Sequence, residues 1–228
     1  MKTLKKIPLR LLAVVVLALV VQVALAGTAE VTSGSQSMQI QYEGGMLRMD
    51  VGQGEGAYML LRDGHVYMVS IANGQPMVID ASQSMSMMGN MAGSSAPAAA
   101  AGKVLALDAT GKMETHAGIK GEVYNLKFID IDGKEMQTEL VLSDDARAKG
   151  FSNAMSAMAV TMSSVAGQDY SAAANDIAAR LKSLDMGVLR YGQDMSVTAL
   201  NGDTVAASRF ELPAKPMDLS GLRGLMGQ

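Results

Sequence analysis

The residues best placed to do chemistry in this 228-residue chain are its methionines, twenty of them against two histidines and no cysteine. Met85, Met87, Met88 and Met91 fall within one short stretch. Thioethers are soft ligands, and a cluster of them suits Cu(I) in an oxidising compartment. The same side chains are unbranched and polarisable, so they also serve as apolar filler or as an adaptable binding surface. A second group, Phe151, Met155, Met158, Met162 and Val165, recurs at i, i+4, i+7, i+11 and i+14. That spacing makes one apolar stripe on a helix. The stripe is either core or, on a helix that caps a concave sheet, the lining of a lipid-sized cavity. A plug helix is both.

Other chemistries find little support. His65 and His116 have no second histidine or cysteine at ligand spacing, which argues against zinc and for structural roles. Asp130-x-Asp132-Gly133 begins like a calcium loop but lacks the third acidic ligand and the distant glutamate, so a hairpin turn is expected. Gly52-x-Gly-x-Gly56 precedes neither a helical pattern nor a Lys-Ser/Thr pair, and reads as a turn. No Gly-x-Ser-x-Gly elbow is present. The expectation is a non-enzymatic protein without a cofactor.

The N-terminus supplies an address. Lys2, Lys5, Lys6 and Arg10 precede an unbroken apolar run over 11–21, and Ala24-Leu25-Ala26 offers small residues at a cleavage site. This is the pattern of a signal peptide cleaved after Ala26. The run is shorter than the ~20 residues of a membrane span. Removing 1–26 takes away four basic residues and leaves a formal charge of −7. Such a balance, with six Tyr and three Phe, argues against nucleic-acid binding. An exported, periplasmic chain without cysteine must be held together by its core alone.

The elements that would position these residues are mostly strands. Residues 27–36 are small and polar, a flexible lead-in. Strands are expected at 37–42, 46–51, 57–62, 65–71, 76–80 and 104–109, then along the stretch 114–128 that enters through Gly118 and Gly121. Asp63-Gly64 marks a two-residue hairpin, because both turn residues need positive φ. Its register pairs Leu61 with Val66 and Met59 with Met68 on one face, and Leu60 with Tyr67 and Tyr58 with Val69 on the other. Both faces are apolar, so both must be covered. After Phe128, the loop that keeps the apolar face together sets Phe128 opposite Met136, Leu126 opposite Thr138 and Tyr124 opposite Leu140. Residues 81–102 form a mobile loop. Ser143 caps a helix opened by Asp144 and Asp145 and ended by Gly167. A second helix covers 171–184 and is closed by Gly187. Strands at 188–191, 195–200 and 204–212 complete a single domain over 37–215, followed by a tail at 216–228. The class is α+β: an antiparallel sheet with two helices packed on one face.

Gly111-x-x-x-Thr115-x-Ala117-Gly118-x-Lys120-x-x-Val123-Tyr124 and Phe210-Glu-Leu-Pro-Ala214 resemble the motifs of an exported bacterial family, domain of unknown function forty-four twelve. Gly121 stands where members often carry cysteine, and His116 where an aliphatic residue is usual. That family is similar to the LolA/LolB-type lipoprotein carriers. The resemblance implies a curved antiparallel half-barrel whose concave face is plugged by two helices and receives acyl chains. The function it implies is periplasmic binding of an apolar ligand, a lipid or a lipidated partner, with only transient membrane contact. The ligand-lining candidates are then Phe151, Met155, Met158, Met162 and Val165. Copper handling through Met85, Met87, Met88 and Met91, or a structural role in the envelope, are the alternatives.

Overall fold

A computed structural model describes residues 26–51, 56–81, 103–129, 133–166 and 171–218, with side chains except at 51, 163–166 and 171–174. Eleven antiparallel strands form one open sheet in the order β6-β5-β4-β3-β2-β1-β11-β10-β9-β8-β7. They are β1 (Ala26–Ser33), β2 (Gln36–Glu43), β3 (Met46–Val51), β4 (Ala57–Arg62), β5 (His65–Ala72), β6 (Gln75–Asp80), β7 (Lys103–His116), β8 (Ile119–Ile129), β9 (Glu135–Ser143), β10 (Gly187–Tyr191) and β11 (Met195–Asn201). Two helices, α1 (Ala146–Ala166) and α2 (Ser171–Leu184), lie between β9 and β10. The class is α+β, as expected. Among the described residues no helix is long and apolar enough to cross a membrane.

The tight hairpins follow from local backbone chemistry. Asp63 and Gly64 have φ of 53° and 75°, and Asn73 and Gly74 have 53° and 76°, the mirror-image turn that matches strand twist. The β4–β5 register is the expected one, with Met59 opposite Met68 and Leu61 opposite Val66. The β8–β9 register also holds: Tyr124 meets Leu140, Leu126 meets Thr138 and Phe128 meets Met136. Gly133 takes a φ of 79° there. Both faces of the β4–β5 hairpin are covered. Leu61 and Val66 join the main core, while Leu60, Tyr58 and Tyr67 pack beneath Val205, Phe210 and Leu212.

Several boundaries differ from expectation. Residues 27–36 are not a flexible lead-in: β1 lies mid-sheet, paired with β2 and β11. Ala29 and Val31 are buried on one face of it. Its small residues are a packing requirement, because a Cβ on Gly27 would collide with the Asn201 carbonyl and come within 2.6 Å of the Tyr42 hydroxyl. Residues 204–212 form no strand. β11 already has β1 and β10 as neighbours, so this segment crosses the sheet instead, with a 3-10 turn at Ala207–Phe210. The domain therefore extends past 37–215, and Met217, placed in the tail, donates its N–H to the Val78 carbonyl on edge strand β6 at 2.8 Å. Ala81, expected to open the loop, is buried in the main core. Residues 1–25, the rest of that loop and 219–228 lie outside the described residues.

The arm from β11 to β7 curls. Four strand steps in a flat sheet span about 19 Å. Yet His116 of β7 and Ser196 of β11 are 3.0 Å apart. Bulges in β7 at Leu105 and around Thr110–Lys112, and in β10 at Leu189, supply the extra twist.

The helices are held separately. Asp145, not Ser143, caps α1: its carboxylate accepts the Arg147 N–H at 2.9 Å. Ser143 is buried; its hydroxyl donates to the Lys120 carbonyl at 2.7 Å and accepts the Asp145 N–H at 3.3 Å, one residue short of the first helical turn. Phe151 and Met158 of α1 fill the main core against β1–β5, each worth roughly 1.5–3 kcal/mol in burial before entropy. On α2, Ile177 and Leu181 pack with Tyr124, Leu126, Leu140 and Leu142. Val123 and Val141 alternate with those residues along β8 and β9 and belong to the main core instead. The two helices thus serve different clusters.

Gly187 does not close α2. Asp185 does, at φ 54°, with the Met186 N–H bonded to the Leu181 carbonyl and the Asp185 N–H to that of Lys182. Gly187 begins β10 and is there for close approach to α1.

Candidate functional site

Where β10 leaves β11, α1 takes its place. β10 and β11 pair only at Arg190–Ser196 and Tyr191–Met195. The Val188 N–H beyond them would be an orphan, and the buried Ser152 hydroxyl on α1 accepts it at 2.7 Å. Across the core, the Tyr42 hydroxyl donates to the Arg147 carbonyl at 3.2 Å, and its ring tilts against Phe151 at 6.4 Å. These contacts fix the height and rotation of α1 over the sheet.

Between α1, α2 and these two strands lies an apolar cleft of about 350 Å³. The helices contribute Phe151, Met155, Ile177 and Leu181, with Ser152, Ser156, Ala159 and Ala178 as small spacers. The strands contribute Val188, Tyr191 and Met195. Burial pushes the Tyr191 hydroxyl above its ordinary value, with Asp194 adding to the rise, so the wall stays neutral. The volume falls within the ~300–1,000 Å³ of small-molecule sites, and the mix of large apolar walls with few polar atoms is theirs too.

The helix stripe divides between two roles. Phe151 and Met155 line the cleft. Met158 and Met162 do not line it; they pack in the main core, which Phe151 and Met155 also join, with Met38, Met49 and Met59 from β2, β3 and β4. From 151 to 165 the stripe runs about 21 Å along the helix, longer than the cleft. The Val165 side chain lies outside those described, as do Met85, Met87, Met88 and Met91.

A polar cluster on β7, β9, β10 and β11 was not foreseen. Arg190 forks onto Glu114 at 3.0 and 3.1 Å and onto Glu139 at 3.0 Å. Glu114 also accepts from His116 Nε2 at 2.9 Å. A carboxylate only accepts, so Nε2 carries the proton, and in the neutral ring Nδ1 accepts the Ser196 hydroxyl at 3.0 Å. The His116 hydrogen bond holds the Glu114 carboxyl below the usual range; desolvation opposes this and Arg190 assists it. Serine, histidine and glutamate in sequence suggest nucleophilic chemistry, but the surroundings do not. Glu114 is already neutralised by Arg190. Ser196 and Arg190 each neighbour a cleft residue, Met195 and Tyr191, and by strand alternation face away from it. The cluster is a strut that ties the curled arm shut. His65 is likewise structural, bonded to Asp80 at 3.2 Å and stacked on Tyr67.

Compared with protein-family models, with curated proteins and with solved structures, the chain matches none. Its function must be argued from the cleft.

Proposed function

We propose that this is an exported, periplasmic, non-enzymatic binder of an apolar ligand or the lipid part of a lipidated partner. In this reading the fold is a half-barrel similar to LolA/LolB-type carriers, with α1 as its plug. One observation carries it: an apolar cleft bounded by Phe151, Met155, Ile177, Leu181, Val188 and Tyr191, lying where a helix replaces a strand. Each methylene buried there would contribute about 0.8 kcal/mol. The open sheet and its curled arm support the family resemblance carried by residues 111–124 and 210–214.

The test is native mass spectrometry of protein purified from the periplasm, followed by uptake of a fluorescent fatty acid by delipidated protein. The expected masses are those of a chain lacking residues 1–26 and of an acyl-bound form that loses its extra mass on denaturation. Ser156→Phe would fill the cleft and abolish saturable uptake while leaving the unfolding transition in place. Uptake by that variant equal to wild type would refute the site.

A second reading, Cu(I) handling, has one observation in its favour. Met49, Met59 and Met68 stand in direct register across β3, β4 and β5, so their side chains form one row on one face. A Cu(I) competition titration decides it, on wild type and on two leucine variants. One replaces these three residues; the other replaces Met85, Met87, Met88 and Met91. Equal affinities in all three proteins would end the copper reading.

A further inference from the structure

We infer that the cleft takes a single-chain amphiphile with an anionic head, its chain against Phe151 and Met155 and its carboxylate or phosphate against Lys182. The inference rests on the apolar-ligand reading of the cleft and adds the class of the ligand.

A second cavity, of about 770 Å³, adjoins the first; Ser152, Ser156, Ala178 and Leu181 are walls of both. The remaining walls differ in kind. In place of Phe151, Met155 and Ile177 stand Lys149, Asn153, Lys182 and Asp185. The joined space is therefore apolar at one end and charged at the other. Lys149 is neutralised by Asp185 at 2.9 Å. Lys182 is exposed and forms no ion pair among the described residues. The charged end thus carries one uncompensated positive charge. Lys182 lines this rim from the last turn of α2, a position where a cation is favoured. A neutral head would leave that charge unused, and a cationic head would be repelled by it. An anionic head completes it with a charge-assisted hydrogen bond.

Size limits the number of chains. At ~30 Å³ per water-sized group, the apolar cavity holds about a dozen such groups, one medium-length chain rather than two or three. From Lys149 to Ala159 the walls follow ten residues of α1, about 15 Å, so head and chain would lie in line along the helix.

The test measures displacement of a neutral naphthylamine dye from purified, delipidated protein at pH 8 and low salt. The competitors are dodecanoate, dodecyl phosphate, dodecanol and dodecylammonium, each below its micelle concentration. The anions are expected to bind about tenfold more tightly than dodecanol, the worth of one charge-assisted hydrogen bond to an exposed lysine at low salt. Dodecylammonium is expected to bind more weakly than dodecanol. Lys182→Gln should bring the anions to the dodecanol level and leave dodecanol unchanged, while Lys182→Arg should keep the preference. The tighter of the two anions identifies the head as carboxylate or phosphate. Dodecanol binding as tightly as the anions, or an anion preference that survives Lys182→Gln, would overturn the inference and leave the apolar reading standing. If neither the dye nor any competitor binds, the apolar reading itself falls.

Discussion

Gly187→Ala should unseat α1. A Cβ at 187 would lie inside 3.0 Å of the Ala148 carbonyl and 2.5 Å from the Lys149 amide nitrogen. Both obstacles are helix backbone, so no side chain can swing aside. An ordinary contact begins near 3.4 Å, so helix and strand must separate by about 1 Å. A shift of that size stretches the 2.7 Å bond between Val188 N–H and Ser152 beyond hydrogen-bonding range. Losing that bond costs about 1 kcal/mol. Overpacking against backbone costs about 1–3 kcal/mol more. The expected destabilisation is about 2–4 kcal/mol, which for a domain of this size lowers Tm by about 5–15 °C. Urea and thermal unfolding measure it. Gly202→Ala is the control, because there a Cβ meets only the flexible Arg147 side chain at 3.4 Å; it should fall within about 0.5 kcal/mol of wild type. Because Phe151 and Ser152 would move with the helix, dye affinity should also change in Gly187→Ala. Stability of Gly187→Ala within that same margin would refute the account of how α1 docks.

Burial pushes the Tyr42 hydroxyl up to about 12, with Arg147 lowering it and Asp145 raising it. The folded state favours the protonated phenol, so this contribution is complete below pH 10 and is lost as pH rises to about 12. Phenolate absorbance should lose a component near pH 12 in Tyr42→Phe, while other tyrosines raised by burial, such as Tyr191, remain; the variant is also weakened by about 1 kcal/mol through loss of its bond to α1. Glu114→Gln should cost about 1 kcal/mol at pH 7, held to that size because the wild-type side chain is 38% exposed and screened. Since the Glu114 carboxyl titrates low, its contribution is present above its unfolded pKa and vanishes as pH falls; the two unfolding curves should converge in acid. Asp185→Gly relieves a left-handed residue at the end of α2 and should stabilise by about 1 kcal/mol at high salt, where the exposed pair with Lys149 is screened. A loss of stability there would contradict the cap geometry.

The parts legible in the sequence were those decided by neighbours along the chain. Asp63-Gly64 and Asn73-Gly74 carry their own turn geometry, and alternation then sets the pairing of Met59 with Met68 and of Tyr124 with Leu140. β1 was missed although Ala29 and Val31 alternate with Thr28, Glu30 and Thr32. Its burial comes from β2 and β11, the latter more than 160 residues away. The segment 204–212 alternates like a strand, but β11, the strand it follows, has no free edge to offer it. The helix stripe was visible, and Phe151 and Met155 do reach the cleft; Tyr191 and Met195 come from strands whose short runs say nothing of a neighbouring helix. Of the polar strut, only Glu114-x-His116 left a trace, two side chains on one strand face. Arg190, Glu139 and Ser196 join it through the curl of the sheet, which no local pattern encodes.

The strand order has a consequence for how the chain is made. All strand pairings but one join strands consecutive in sequence; the exception is β1 with β11. Thr28 and Asn201, which meet there, are 173 positions apart. Closing a loop of that length costs about 4–5 kcal/mol in chain entropy. At ~5–20 residues per second, β1 is synthesised roughly 10–35 s before its last partner. Through that interval one edge of the first strand stands open, a template for pairing with another chain. The seam that makes the sheet continuous is therefore also the place where this protein is most exposed to misassembly before it is finished.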